Sequence, residues 1–81
     1  SGIDKLKNIK NERIQKLEEE EKRLSQCMAR KRNKISEANK RNKDNPNYVK
    51  VDYNKSKKYI RLKERHAAIC LRIADIREDY L

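Results

Sequence analysis

The sequence predicts an all-α protein: two long helices folded into an antiparallel coiled-coil hairpin. Two apolar stripes, each stepping alternately by three and four residues, carry that prediction, and one cluster of turn-forming residues separates them. Composition agrees. One Gly and one Pro stand among 81 residues rich in Lys, Glu, Arg and Leu, which favours helix throughout.

Residues 1–10 read as a lead-in, with Ser1-Gly2 resembling the remnant of a cleaved tag. The first helix is expected over 11–43. Asn11 is suited to its N-cap and Glu12 to its first turn, while Asp4 is an alternative cap for a longer helix running through Ile9. The sequence leaves both starts open. Its stripe is Ile14, Leu17, Leu24, Met28, Ile35 and Ala38, with Glu21 and Lys31 in the two remaining positions of the seam.

Residues 44–53 form the expected basic tip. Asn42-Lys43-Asp44-Asn45-Pro46-Asn47 combines Asn, Asp and Pro in the manner of a turn. Tyr48, Val49, Val51 and Tyr53 alternate like a strand, but so short a segment builds no sheet. An irregular lead-in or an early helical turn is expected there.

The second helix is expected over 54–81. Its stripe is Tyr59, Leu62, His66, Ile69, Ile73, Ile76 and Tyr80, flanked by a second apolar line of Ala67, Cys70, Ala74 and Leu81. Folding at the turn sets Leu17 opposite Ile76, Leu24 opposite Ile69 or Cys70, Met28 opposite His66 and Ile35 opposite Tyr59. In that register His66 is a packed seam residue rather than a ligand or base. The face of helix 2 is wider than one partner helix covers. It expects a sheet or a second copy, so the chain reads as a piece of a larger protein whose isolated copies self-associate through Ala67, Cys70, Ala74 and Leu81.

Only 35% of the residues are hydrophobic, close to the border at which burial no longer offsets chain entropy. Regular spacing rescues the fold, though a hairpin of this size is marginally stable alone. No segment has the roughly 20 apolar residues that cross a bilayer, and no signal peptide is evident, so no membrane partner is expected and a cytoplasmic location is. Cys27 and Cys70 lack CxxC or Cys/His ligand spacing; they read as small, buried or half-buried residues, with no metal site. One His, no nucleophile beside a base and no Gly-rich phosphate loop leave nothing for catalysis, and Glu18–Glu21 reads as a helix surface. The segment itself is therefore expected to be no enzyme and to need no cofactor.

Charge is the informative feature. Lys and Arg number 23 against 13 Asp and Glu, a formal +10. Residues 1–28 contribute +1 and residues 66–81 contribute −1, so the +10 lies within residues 29–65. A plain solvated surface mixes signs, as Glu18–Glu21 followed by Lys22 and Arg23 does. Cations concentrated at one end are the footprint of a polyanion, DNA or RNA. The expected phosphate contacts are Arg30, Arg32, Lys34, Lys40, Arg41, Lys43, Lys55, Lys57, Lys58, Arg61 and Arg65. The alternative is a solubilising tip without a partner.

Two stretches resemble a known family. Ser56-Lys57-Lys58-Tyr59-Ile60-Arg61 through Arg72-Ile73-Ala74-Asp75-Ile76-Arg77-Glu78-Asp79-Tyr80-Leu81 is similar to the Ile-Ala-Asn, then Arg-x-Asp-Phe, pattern of the TnpB (OrfB) proteins of insertion sequences. Ile9-Lys10-Asn11-Glu12, Leu17-Glu18 and Lys22-Arg23-Leu24-Ser25 resemble that family's Asn-Pro-Lys, Leu-Glu and Arg-Arg-Leu-Ser run. The first piece is fairly specific, whereas the second is generic for basic helices. Asp75 replaces the family's Asn, and the tip is longer and lacks its Gly-Ser turn. The resemblance implies a helical segment inserted in a larger RNase H/RuvC-like, RNA-guided nuclease. The wide face of helix 2 would lie against the parent's sheet. Acids outside this segment would hold divalent metal such as Mg²⁺ for cleavage, and the parent would carry a zinc ribbon. Gly2-Ile3-Asp4 is similar to that family's first catalytic strand, but the strand and the Gly that should follow are missing.

Two other functions compete. A protein-interaction coiled coil, such as an antiparallel finger that binds small GTPases, needs an exposed apolar patch and no such concentration of charge. A membrane-surface hairpin needs bulky apolar residues that the tip lacks.

Overall fold

A computed structural model describes residues 1–79. Helix α1 spans Gly2–Arg41, a single-turn 3₁₀ element covers Tyr53–Lys55, and α2 spans Lys57–Glu78. The two helices pack antiparallel in an extended hairpin 68 Å long and 15 Å across. Forty residues at 1.5 Å per residue make α1 about 60 Å long. It sets most of the long axis, and the tip extends beyond it.

Helix α1 starts earlier than expected. Ser1, not Asn11 or Asp4, is the N-cap: its hydroxyl accepts from the Asp4 backbone N–H, and Asp4 stands in the first turn, where its charge complements the helix dipole. The lead-in expected over 1–10 is thus helix. Asp4 is exposed on that turn and pairs with the Ser1 amino group at 3.7 Å, on a helix rather than a catalytic strand. The C-terminal end has its own cap. Asn42 donates to the Ala38 carbonyl from both its backbone N–H and its side-chain amide, and Lys40 and Arg41 lie in the last turn.

The seam positions face inward as their spacing requires. Leu24 is buried, and Ile14, Leu17, Glu21, Met28, Lys31, Ile35 and Ala38 are half-buried. On α2, Tyr59, Ile73 and Ile76 are buried, and Leu62, His66 and Ile69 are half-buried. Tyr80 and Leu81 lie outside the described residues. The flanking line is exposed at Ala67, Cys70 and Ala74, with Leu71 beside it. Cys70 therefore departs from the buried or half-buried position expected of it, while Cys27 is half-buried, and both thiols are free.

Polar cross-contacts run along the seam near the expected pairing. Arg77 meets Glu18, in step with Leu17 opposite Ile76. His66 hydrogen-bonds Ser25 and Glu21, and Tyr59 accepts from Arg32, each set toward the start of α1 from the Met28 and Ile35 expected opposite them. Glu21 occupies the seam and needs a donor, and the hydroxyl of buried Tyr59 needs a partner.

The tip contains no strand. Asn45 N–H bonds to the Asn42 carbonyl, Tyr48 N–H to the Asn45 carbonyl, and Asn47 N–H to the Asn45 side chain, so the turn residues act locally. Asp52 caps the 3₁₀ turn and Ser56 caps α2 through the Tyr59 N–H. The second helix thus begins at Lys57 instead of residue 54.

Candidate nucleic-acid interface

The basic half is anchored by a small polar network. Asn39, on the last turns of α1, donates to the Val51 carbonyl at 2.9 Å. Its carbonyl oxygen accepts from Val51 N–H at 3.0 Å and from the Tyr48 hydroxyl at 2.8 Å. One side chain therefore supplies the pairing that a neighbouring strand would otherwise give this extended segment. Beside it, Ile35, Ser36, Asn39 and Lys40 form one wall of an open groove of about 800 Å³, and Tyr48, Lys50, Val51 and Tyr53 form the other. Tyr53 meets the edge of the Tyr59 ring at a centroid distance of 5.0 Å.

Ten of the eleven expected phosphate contacts are exposed around this frame. Arg30 and Lys34 lie on α1, with Lys40 and Arg41 in its last turn; Lys43 and Lys55 lie in the tip; Lys57, Lys58, Arg61 and Arg65 lie on α2. Two already touch neighbours. Arg30 donates to the Cys27 sulfur at 3.1 Å, and Arg65 pairs with Glu20 at 3.4 Å in an exposed ion pair. Lys57, Lys58 and Arg61 make no ion pair among the described residues. Arg32 stands apart. It is half-buried, donates to the Tyr59 hydroxyl at 3.0 Å and holds its guanidinium 5.9 Å from that ring's centroid. Its first task is to satisfy a buried phenol rather than a phosphate. Nothing in the spacing of charges distinguished Arg32 from Arg30 or Lys34; the signal was Tyr59, a seam tyrosine near the tip whose hydroxyl needed a donor.

Acceptors in this half are scarce. Residues 29–65 hold 14 basic and 4 acidic side chains, so internal pairing cannot neutralise the surface. What the arrangement offers chemically is a set of exposed ammonium and guanidinium groups about a hydrogen-bonded loop, of the kind that contacts phosphates rather than reads bases.

Farther along the seam lies a second cluster that sequence spacing missed. His66 Nε2 is 2.6 Å from Glu21 Oε1 and 3.0 Å from Ser25 Oγ, and the Ser25 hydroxyl donates to the same carboxylate at 3.0 Å. Hydrogen bonds from His66 and then Ser25 hold the Glu21 carboxyl below its ordinary value. Cys70 Sγ lies 3.8 Å from His66 Nδ1. Seen in sequence, Glu21 interrupted its stripe and His66 read as a packed seam residue. Together they are a matched pair.

Among the described residues, no helix is long and apolar enough to cross a membrane. No protein-family model, curated protein or solved structure matches the chain, so the functional reading rests on its own residues.

Proposed function

We propose that this hairpin holds nucleic acid through its basic tip, as the helical insert of a larger RuvC-like nuclease of transposon origin. The observation that carries the proposal is electrostatic: the whole formal charge of +10 falls within residues 29–65, and all but one of the expected contact residues there are exposed. The parent assignment rests on the resemblance of Ile73-Ala74 with Arg77-Glu78-Asp79-Tyr80 to the TnpB pattern. Exposure of Ala67, Cys70, Leu71 and Ala74 supports it, because an inserted hairpin would lay that side of α2 on the parent's sheet. In this reading the chain binds and orients the polyanion, and cleavage belongs to acids elsewhere in the parent.

A second reading has one observation in its favour. Ile3, Leu6 and Ile9 are more than half exposed on the first turns of α1, at helical spacing, as a protein-docking face would be. This patch lies far from the tip, so the two readings separate by mutation.

The test is a salt titration of binding to RNA and duplex DNA of unrelated sequences. Each neutralised phosphate releases about 0.9 counterion on duplex DNA, so engagement of half the named cations gives a log–log salt slope of about −5. Lys57→Glu, Lys58→Glu and Arg61→Glu together should weaken binding equally on every sequence, while changes at Glu18 and Glu19 should not. Binding no tighter than that of a scrambled peptide of equal charge would reduce the tip to a solubilising surface.

A further inference from the structure

We propose that His66 and Cys70 bind a zinc-like divalent cation on the face of α2, with Glu21 of α1 orienting the imidazole. The proposal concerns the half of the hairpin away from the tip, so it does not depend on nucleic-acid binding there; it requires that Cys70 stay open to solvent, as it is in this chain, rather than lie under a parent sheet.

Proton bookkeeping at the imidazole comes first. Glu21 is a carboxylate and only accepts, and the Ser25 hydroxyl proton is directed at that same carboxylate. The hydrogen bond between His66 and Glu21 at 2.6 Å therefore places the proton on Nε2. In the neutral ring, Nδ1 then carries the lone pair. That lone pair is on the Cys70 side, with the sulfur 3.8 Å away. Zinc takes imidazole nitrogen at about 2.0 Å and thiolate sulfur at about 2.3 Å in tetrahedral geometry, which sets the two ligand atoms about 3.6 Å apart. The observed separation needs only a small closing movement of two side chains.

Position and charge favour the same ion. His66 and Cys70 are one turn apart on one helical face, and Cys70 is exposed, so an ion reaches it directly from solvent. Glu21, His66 and Cys70 bring ligand atoms within 4.8 Å of one another. A carboxylate on the far nitrogen of a metal-bound histidine fixes its tautomer and raises its basicity. Glu21 already stands in that position. Glu18, Glu20 and Glu21 bring negative charge to this stretch of α2, where Glu20 and Glu18 pair with Arg65 and Arg77. Thiolate and imidazole together select a borderline-soft cation over Mg²⁺ or Ca²⁺. Two waters complete the shell. Binding displaces the thiol proton to solvent, so no oxidant or reductant is involved.

Cobalt(II) titration of the reduced 81-residue chain tests this. The expected result is a sulfur-to-cobalt charge-transfer band saturating at one ion per chain, erased by zinc, with zinc raising the melting temperature. Cys70→Ser should abolish the band, and Cys27→Ser should leave it intact. Glu21→Gln should weaken binding about tenfold or more without abolishing the band. Circular dichroism on each variant confirms that the helices persist. Absence of the band, its survival in Cys70→Ser, its loss in Cys27→Ser, or saturation at one ion per two chains would each overturn the site.

Discussion

The two halves of the hairpin are held by different physics. Among the described residues, three of the four buried side chains, Leu24, Ile73 and Ile76, belong to the half away from the tip. Residues 1–28 and 66–81 there carry nine basic and nine acidic side chains, and Arg77 pairs with Glu18 and His66 with Glu21 across the seam. The tip half has one buried residue, Tyr59, and depends on hydrogen bonds from Arg32 and Asn39. Apolar packing and matched charge therefore stabilise one half. The other accepts a surplus of like charge, which works against its own compaction. Such a surplus makes sense where an external polyanion relieves the repulsion.

Core deletion breaks this comparison most strongly. Leu24→Ala should destabilise the hairpin by about 2–3 kcal/mol, the lower part of the range for buried leucines, because a two-helix seam relaxes more readily than a full core. Leu6→Ala, on the exposed first turns of α1, should change stability by less than about 0.5 kcal/mol. Urea melts followed by circular dichroism measure both. Equal effects would mean that Leu24 is not the packing centre of its half.

Asn39 sharpens the same comparison from the other side. Asn39→Ala removes three hydrogen bonds to Tyr48 and Val51 and should cost about 1–2 kcal/mol, since the lost partners can turn to water at an exposed loop. Its signature should be local. Amides of the tip should exchange faster while those beside Leu24 keep their protection. Uniform loss of protection would show that the halves do not differ as described.

How much of this was legible in sequence follows the same division. Spacing alone placed every described seam residue on the inward side, from Ile14 to Ala38 and from Tyr59 to Ile76, because apolar burial depends on periodicity. The register was legible to about a turn: Arg77 with Glu18 agrees with the expected pairing, whereas Arg32 with Tyr59 and Ser25 with His66 fall about one turn from it. Apolar residues slide past one another at small cost, so spacing alone does not fix the polar partners. The start of α1 was missed because Ser1 was read as a remnant, although Ser followed three positions on by Asp4 is a sound N-terminal pattern. Asn39 escaped for a different reason: its acceptor is backbone twelve residues away, and no side-chain pattern announces that. The basic cluster was legible as a list of charges, and the structure adds only that ten of the eleven named side chains are exposed and Arg32 is half-buried.

The smallest expected effect concerns the ion pairs that make the far half electrically balanced. Arg77 Nη2 lies 2.7 Å from Glu18 Oε1, close enough for a strong hydrogen bond, but the two side chains are 60% and 51% exposed. Water screens such a pair, and ordering two long side chains opposes it, so its coupling should be about 0.5 kcal/mol. A double-mutant cycle with Glu18→Gln and Arg77→Gln reads that term apart from losses in packing or helix propensity. Raising the salt from low to about 1 M should reduce it towards zero, as the Debye length shrinks to roughly 3 Å. In the tip half no comparable cycle exists for Lys57, Lys58 or Arg61, which have no carboxylate partner among the described residues. Salt should therefore weaken the far half slightly and relieve repulsion in the tip half. The two responses have opposite signs within one molecule, and amide exchange resolved along the chain can read them separately. A coupling well above 1 kcal/mol for Glu18 and Arg77, or the same sign of salt response in both halves, would show that charge pairing does not divide the hairpin in this way.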